Sequence, residues 1–139
     1  MADSLAWLGQ QAGAMRKAGR NAEAEAALRQ LLVLQQANGA ESLDVALQQW
    51  ELGDLLRVMH RYDEAEALLR SSLQTRQRMA SGDGAEVGQS LAGLAMVQCE
   101  QGRTGESDSL FKQAISIYRR LPADAGGLRM PETDRAQCR

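Results

Sequence analysis

One histidine, His60, two cysteines, Cys99 and Cys138, and eighteen carboxylates, most of them at helix starts or on solvent faces, are the side chains of this 139-residue chain to weigh for acid–base, nucleophilic or metal chemistry. A metal site needs several such ligands at set spacings, and the two cysteines stand far apart with no cluster around either. A general base needs an ordered nucleophile or carboxylate partner, and nothing in the sequence identifies one for His60, which falls at the end of a helical segment beside a turn. Cys99 reads as a small side chain buried in a helix or lining a groove, and Cys138 as an oxidisable thiol in a C-terminal tail. The loop "SGDGAE" (81–86) has glycines but neither the lysine and hydroxyl of a phosphate-binding loop nor the alternating oxygen ligands of a calcium loop. Catalysis, cofactors and metals are therefore not expected.

The segments around these residues follow a helical period. Leu5, Leu8, Ala12 and Met15 are spaced three or four apart, as are Leu52, Leu55, Leu56 and Met59, and then Leu91, Leu94, Ala95 and Gln98. Each of these runs is followed by a turn and a second amphipathic stretch: "GRNAEAEAALRQLL" (19–32), "HRYDEAEALLRSSL" (60–73) and "GRTGESDSLFKQAI" (102–115). The three stretches align on Ala24, Ala65 and Ser107. Six helices are predicted at roughly 5–18, 21–37, 44–59, 62–80, 87–101 and 104–120, with breaks at "ANGAES" (37–42) and "SGDGAE". They make three helix-turn-helix units, about 5–43, 44–86 and 87–121, in one array over 1–121. Residues 122–139 lose the period and are expected to be a polar, poorly ordered tail.

Composition agrees with this reading. Apolar residues make up 44% of the chain but aromatics only 4%, so the core must be built from leucine and alanine, which favours helices over sheet. Both prolines follow residue 120. A net charge of −2 with interspersed signs gives no basic stripe for nucleic acid and no polybasic patch for a membrane. The longest apolar run, "LLVL" (31–34), cannot span a bilayer, and "MADSLAWLGQ" lacks the regions of a signal peptide. A soluble, cytoplasmic protein in a reducing compartment is the default expectation.

With "LG" at Leu52–Gly53, "RYDEAEALL" at 61–69, "AEAEAAL" at 22–28, and Ala95, Gly102, Phe111 and Ala114 in the last unit, the chain resembles the tetratricopeptide repeats over about residues 4–120. The match is to the longer variant, of about 42 residues, found in kinesin light chains. Thr104 and Ser107 depart from the pattern, standing where an aromatic and an alanine are usual. The resemblance implies an all-α fold, a right-handed α-solenoid of three repeats. Ala12, Gly53 and Ala95 would pass close to Ala24, Ala65 and Ser107, with Leu28, Leu69 and Phe111 filling the space one turn on. Tyr62 would pack at the helix turn.

It also implies an interaction module whose first helices line a concave groove for a peptide or partner helix. On that basis Arg16, Lys17, Trp50, Asp54, Arg57 and Met96 are the expected contacts. Trp50 has two readings, inter-helix packing and ligand contact, and the cations also read as a solvated face. The basic ring that some members use to hold a peptide's terminal carboxylate is missing, since Gly9, Gly13, Trp50, Asp54, Ala92 and Met96 occupy the comparable sites. The last predicted helix is apolar around much of its circumference, so Ile117 and Tyr118 are expected to contact a second copy or a larger assembly. The alternatives are a structural subunit held by its end faces, with Trp7 at the other end, and a regulatory segment of a longer multidomain protein.

Overall fold

The computed structural model describes residues 2–37, 42–79, 84–122 and 130–138. Among them are seven helices and no strand: α1 (Ala2–Lys17), α2 (Asn21–Gln36), α3 (Leu43–Val58), α4 (Tyr62–Met79), α5 (Ala85–Glu100), α6 (Thr104–Arg119) and α7 (Met130–Cys138). α1 packs on α2, α3 on α4 and α5 on α6; α2 then packs on α3, and α4 on α5. This is a solenoid of three helix pairs, as the period predicts.

Each pair is held at a crossing that admits only small residues. Gly53 is buried, and a Cβ there would stand 2.9 Å from Leu69 Cγ and 3.3 Å from the Ala65 carbonyl oxygen. Ala12 and Ala95 take the equivalent places, opposite Ala24 and Ser107, all buried. Ser107 is tolerated because its hydroxyl donates to the Ala95 carbonyl oxygen at 2.8 Å, leaving no orphan polar atom. Leu52, Leu55, Leu56, Leu69 and Leu94 fill the centre with essentially no exposure. At about 2 kcal/mol each, these burials outweigh any surface ion pair, typically about 0.2–1 kcal/mol.

The turn inside each unit is built alike. Gly19, His60 and Gly102 have positive φ, at 78°, 62° and 83°. The next residue's N–H returns to the preceding helix: Arg20 to Met15, Arg61 to Leu56, Arg103 to Gln98, at 2.8–2.9 Å. His60 adopts a backbone glycine takes freely, and its Nδ1 lies 2.6 Å from the Tyr62 hydroxyl. The sequence echo has a second cause. Arg20, Arg61 and Arg103 each pair with the glutamate three residues on, Glu23, Glu64 and Glu106. Arg61 and Arg103 also reach back to the previous unit, to Glu25 at 2.6 Å and Glu66 at 2.8 Å.

The C-terminal end departs from expectation in two ways. Residues 130–138 of the expected irregular tail form α7, which packs on α6 and α5. Arg135 binds Asp108 at 2.6 Å, and Asp108 aligns with Glu25 and Glu66; the arginine link between units is thus made once more by a segment with no repeat pattern. The expected C-terminal end face is also corrected. Ile117 is buried in a cluster with Val87, Leu91 and Ala114, and the Tyr118 ring lies against Gly88, so both serve packing between α5 and α6. The large apolar side chains left exposed on the first pair are Trp7 (58%), Val33 (65%) and Leu34 (42%).

Three outcomes follow for stability. Gly53→Ala should lower the urea-unfolding free energy by at least about 1 kcal/mol, because overpacking exceeds the helix-propensity gain, whereas Gly13→Ala, with nothing within 4 Å, should raise it by up to about 1 kcal/mol. His60→Gly should stabilise by roughly 1 kcal/mol through relief of the positive φ. Burial pushes the Tyr118 phenol up to about 12, above the ordinary value of about 10. A raised phenol stabilises the fold fully below its unfolded value and loses that contribution as pH rises through about 12. Urea midpoints should therefore fall between pH 10 and 12, less steeply in Tyr118→Phe.

Candidate functional site

α1, α3 and α5, the first helices of the three pairs, carry the predicted groove residues. Trp50 is half-buried on α3, and its indole N–H donates to the Gln89 carbonyl oxygen of α5 at 3.3 Å. A Cβ at Gly93 would stand 3.1 Å from Trp50 Nε1, so the absence of a side chain there is what lets the indole lie against α5. Trp50 thus packs between helices while keeping part of its ring open. Met96 is half-buried on α5, and Lys17 is exposed at the end of α1.

The remaining predicted contacts bind one another. Asp54 accepts from Arg16 of α1 and, at 3.1 Å, from Arg57 one turn along α3. Arg57 also donates to Glu100 of α5 at 2.6 Å. A row of alternating charge, Arg16–Asp54–Arg57–Glu100, therefore joins the three first helices. The expectation of Arg16 and Arg57 as open cations is corrected: each is already committed to a carboxylate inside the chain. Burial works against the Arg57 charge, but Asp54 and Glu100 outweigh it and hold the guanidinium above its ordinary range. Beside the row, burial raises the Glu51 carboxyl, opposed by Arg16 and Arg76. Arg76, buried at the end of α4, donates to the Glu86 carbonyl oxygen, Gln89 Oε1 and Ser90 Oγ and so fixes the start of α5.

The expectation of two separate thiols is overturned. Cys99 and Cys138 form a disulfide, with Cα atoms 5.7 Å apart. The sequence separation that hid the pairing is bridged because α7 returns to α5. Cys99 sits beside Glu100 at the groove's end, and on α7 Asp134 stands one turn before Cys138. Burial raises the Asp134 carboxyl, with Arg57 opposing and Asp54 adding, so α7 brings its own acid into the field of the charge row. No sequence signal marked Asp134. Asp108, however, could have been found by aligning it with Glu25 and Glu66 and asking which arginine it binds.

A cleft of about 540 Å³ beside the disulfide is lined by Thr104, Gly105, Asp108, Phe111, Arg135 and Cys138. Its ionisable pair, Asp108 and Arg135, is already joined. Among the described residues no group of three or more His, Cys, Asp or Glu side chains converges as metal ligands would, and no helix is long and apolar enough to cross a membrane.

Comparison with known proteins places this architecture. The chain superposes on BtubC from P. vanneervenii with a TM-score of 0.80 at 18% identity, over 96% of this chain and 58% of that one. It superposes on a Podosopora anserina protein named for kinesin light chain, with nearly identical TPR-like repeats, with a TM-score of 0.82 at 20% identity, over 96% and 64% of the two chains. The chain thus spans about three-fifths of the length of these solved structures. No curated protein matches it. A sequence profile of the tetratricopeptide repeat matches residues 45–120, more than half of the chain, covering the third helix pair and all but the first two residues of the second. The chain belongs to the tetratricopeptide repeat family.

Proposed function

We propose that the chain is a non-catalytic protein-interaction module, an adaptor or scaffold, whose concave face receives a helix or extended peptide. Tetratricopeptide repeats are generally protein–protein interaction modules. The observation that carries the finer reading is an apolar stripe left open on α3. Leu47 (38%) and Val58 (44%) are exposed, with half-buried Trp50 between them and half-buried Met96 on α5. A stripe of this kind on an amphipathic groove suits the apolar anchors of a partner segment, with the tryptophan as the energetic centre. The charge row sets register more than affinity, because a partner's acid must displace Asp54 or Glu100 to reach Arg57. Lys17 adds an exposed cation at the N-terminal rim. Cytoplasmic residence fits this reading if the disulfide forms transiently, as cytosolic disulfides usually do.

A second reading, a structural subunit held by an end face, is favoured by exposed Trp7, Val33 and Leu34 on the first helix pair, which replace Ile117 and Tyr118 as its candidate contacts. Affinity capture from the native source, followed by titration of the purified partner, separates the two. Trp50→Ala with Arg57→Glu, at unchanged helicity by circular dichroism, should weaken the partner at least about tenfold, while Trp7→Asp leaves it unchanged. Loss with Trp7→Asp and not with the groove variant would instead establish the end-face reading.

A further inference from the structure

Successive helix pairs of the array meet along one face. α3 packs on α2 and α5 on α4, so each first helix rests on the second helix of the pair before it. Ser90 marks that face of α5, its hydroxyl oxygen 3.3 Å from that of Ser72 on α4. Leu94 and Val97 follow four and seven residues on, along the same side of the helix. Aligned on the small crossing residues Ala12, Gly53 and Ala95, these three positions correspond to Gln48, Leu52 and Leu55 of α3 and to Trp7, Gln11 and Ala14 of α1. Leu55 and Val97 are wholly buried. At the matching places on α1, Ala14 is exposed and Trp7 is 58% exposed. Among the described residues no pair lies before α1, so the face used elsewhere for contact between pairs stands open there.

The side chains on this face are complementary to themselves. Trp7, Gln11 and Ala14, with Ala18 just past the helix, make an uncharged stripe. The large flat indole and the small Ala14 are seven residues apart, about 10 Å along the axis. A second α1 laid antiparallel across the first, about a two-fold axis near Gln11, sets each indole over the other copy's Ala14. Both Gln11 amides then meet near the axis, where one can donate to the other. The helix dipoles oppose. The two Lys17 ammonium groups fall about 20 Å apart, beyond the roughly 8 Å screening length at physiological salt. A two-fold interface requires just such a self-complementary patch.

The other end of the array does not offer a seat for open-ended stacking. Units are linked by a turn arginine and the acid that follows the small crossing residue, Arg61 to Glu25 and Arg103 to Glu66. On the last unit that acid is Asp108, and Arg135 of α7 binds it, with α7 packed on α5 and α6. Two copies meeting at their first pairs therefore close on each other. We propose that the chain forms a two-fold dimer through its N-terminal face, with α1 antiparallel to α1 of a second copy and Trp7 of each seated on Ala14 of the other. This stands apart from the groove reading, since it needs no further partner.

The test is sedimentation equilibrium on the purified full chain, titrated to millimolar, with helicity of every variant checked by circular dichroism. The interface is small, so the wild type should be half dimeric at a concentration on the order of 100 µM. Trp7→Ala and Ala14→Trp should each weaken the dimer at least about tenfold. The first removes the indole, and the second sets indole against indole. Trp7→Ala combined with Ala14→Trp in one chain exchanges the two partners and should dimerise again. An equimolar mixture of the two single variants should recover as a heterodimer, because each indole then faces an alanine. A monomer at millimolar concentration, or a dimer indifferent to Trp7→Ala, overturns the proposal. Failure of the mixture to recover overturns it through the antiparallel seating, and growth into species larger than a dimer overturns it through the closed symmetry.

Discussion

The close crossing of paired helices at Gly53, Ala65 and Leu69 is the constraint on which the rest of the structure depends. A helix axis can approach another only as near as the side chains at the crossing allow. Where those are glycine, alanine or a serine whose hydroxyl is satisfied, the partners settle close enough for Leu52, Leu55, Leu56 and Leu94 to form one dry core. That core fixes the spacing of the pairs, which in turn sets α1, α3 and α5 side by side. The row from Arg16 to Glu100 and the indole of Trp50 lying on Gly93 both depend on that spacing.

Charge is used here for register. On the side of the intra-unit turns, Arg61 and Arg103 each bind a glutamate of their own unit and one of the unit before, and Arg135 extends the pattern to Asp108. On the groove side, Asp54 stands between two arginines of different helices. These pairs are half-exposed and individually weak. Those between helices, Arg16–Asp54, Arg61–Glu25, Arg103–Glu66 and Arg135–Asp108, nevertheless join groups that would stand unpaired if the helices shifted. The same pairing explains why Arg16 and Arg57 are not open charges in the groove: both already hold its walls together.

The C-terminal end shows how a repeat array can be closed by a sequence that is not a repeat. An array needs a polar last face. Ile117 and Tyr118 of α6 are satisfied by α5, and α7 lies over the adjoining side, with Arg135 turned to Asp108. Unlike the array helices, α7 has no hydrophobic period. Its described links are a disulfide and arginine–carboxylate pairs with partners 13 to 39 residues away.

The six helices of the array, their bounds to within a few residues, the way they pair and the small residues at their crossings were legible in the chain, because each depends on neighbours three, four or about 42 positions apart, and such periods are written along the sequence itself; α7, which has no such period, was not. The candidate groove residues were legible as positions on a helix face, since the face follows from the period. Their states were not. Whether Arg57 faces solvent or Glu100, whether Trp50 reaches a ligand or rests on Gly93, and whether Cys99 is free or bonded depend on which distant residue the packing brings within about 3 Å. No local pattern encodes that, because Asp54 and Glu100 are only two of eighteen acids until three helices align. The sequence by itself determined a leucine–alanine repeat array; tertiary structure alone decided which of its charges and thiols remain available, since availability is a property of pairs and the partners meet only when the array has closed.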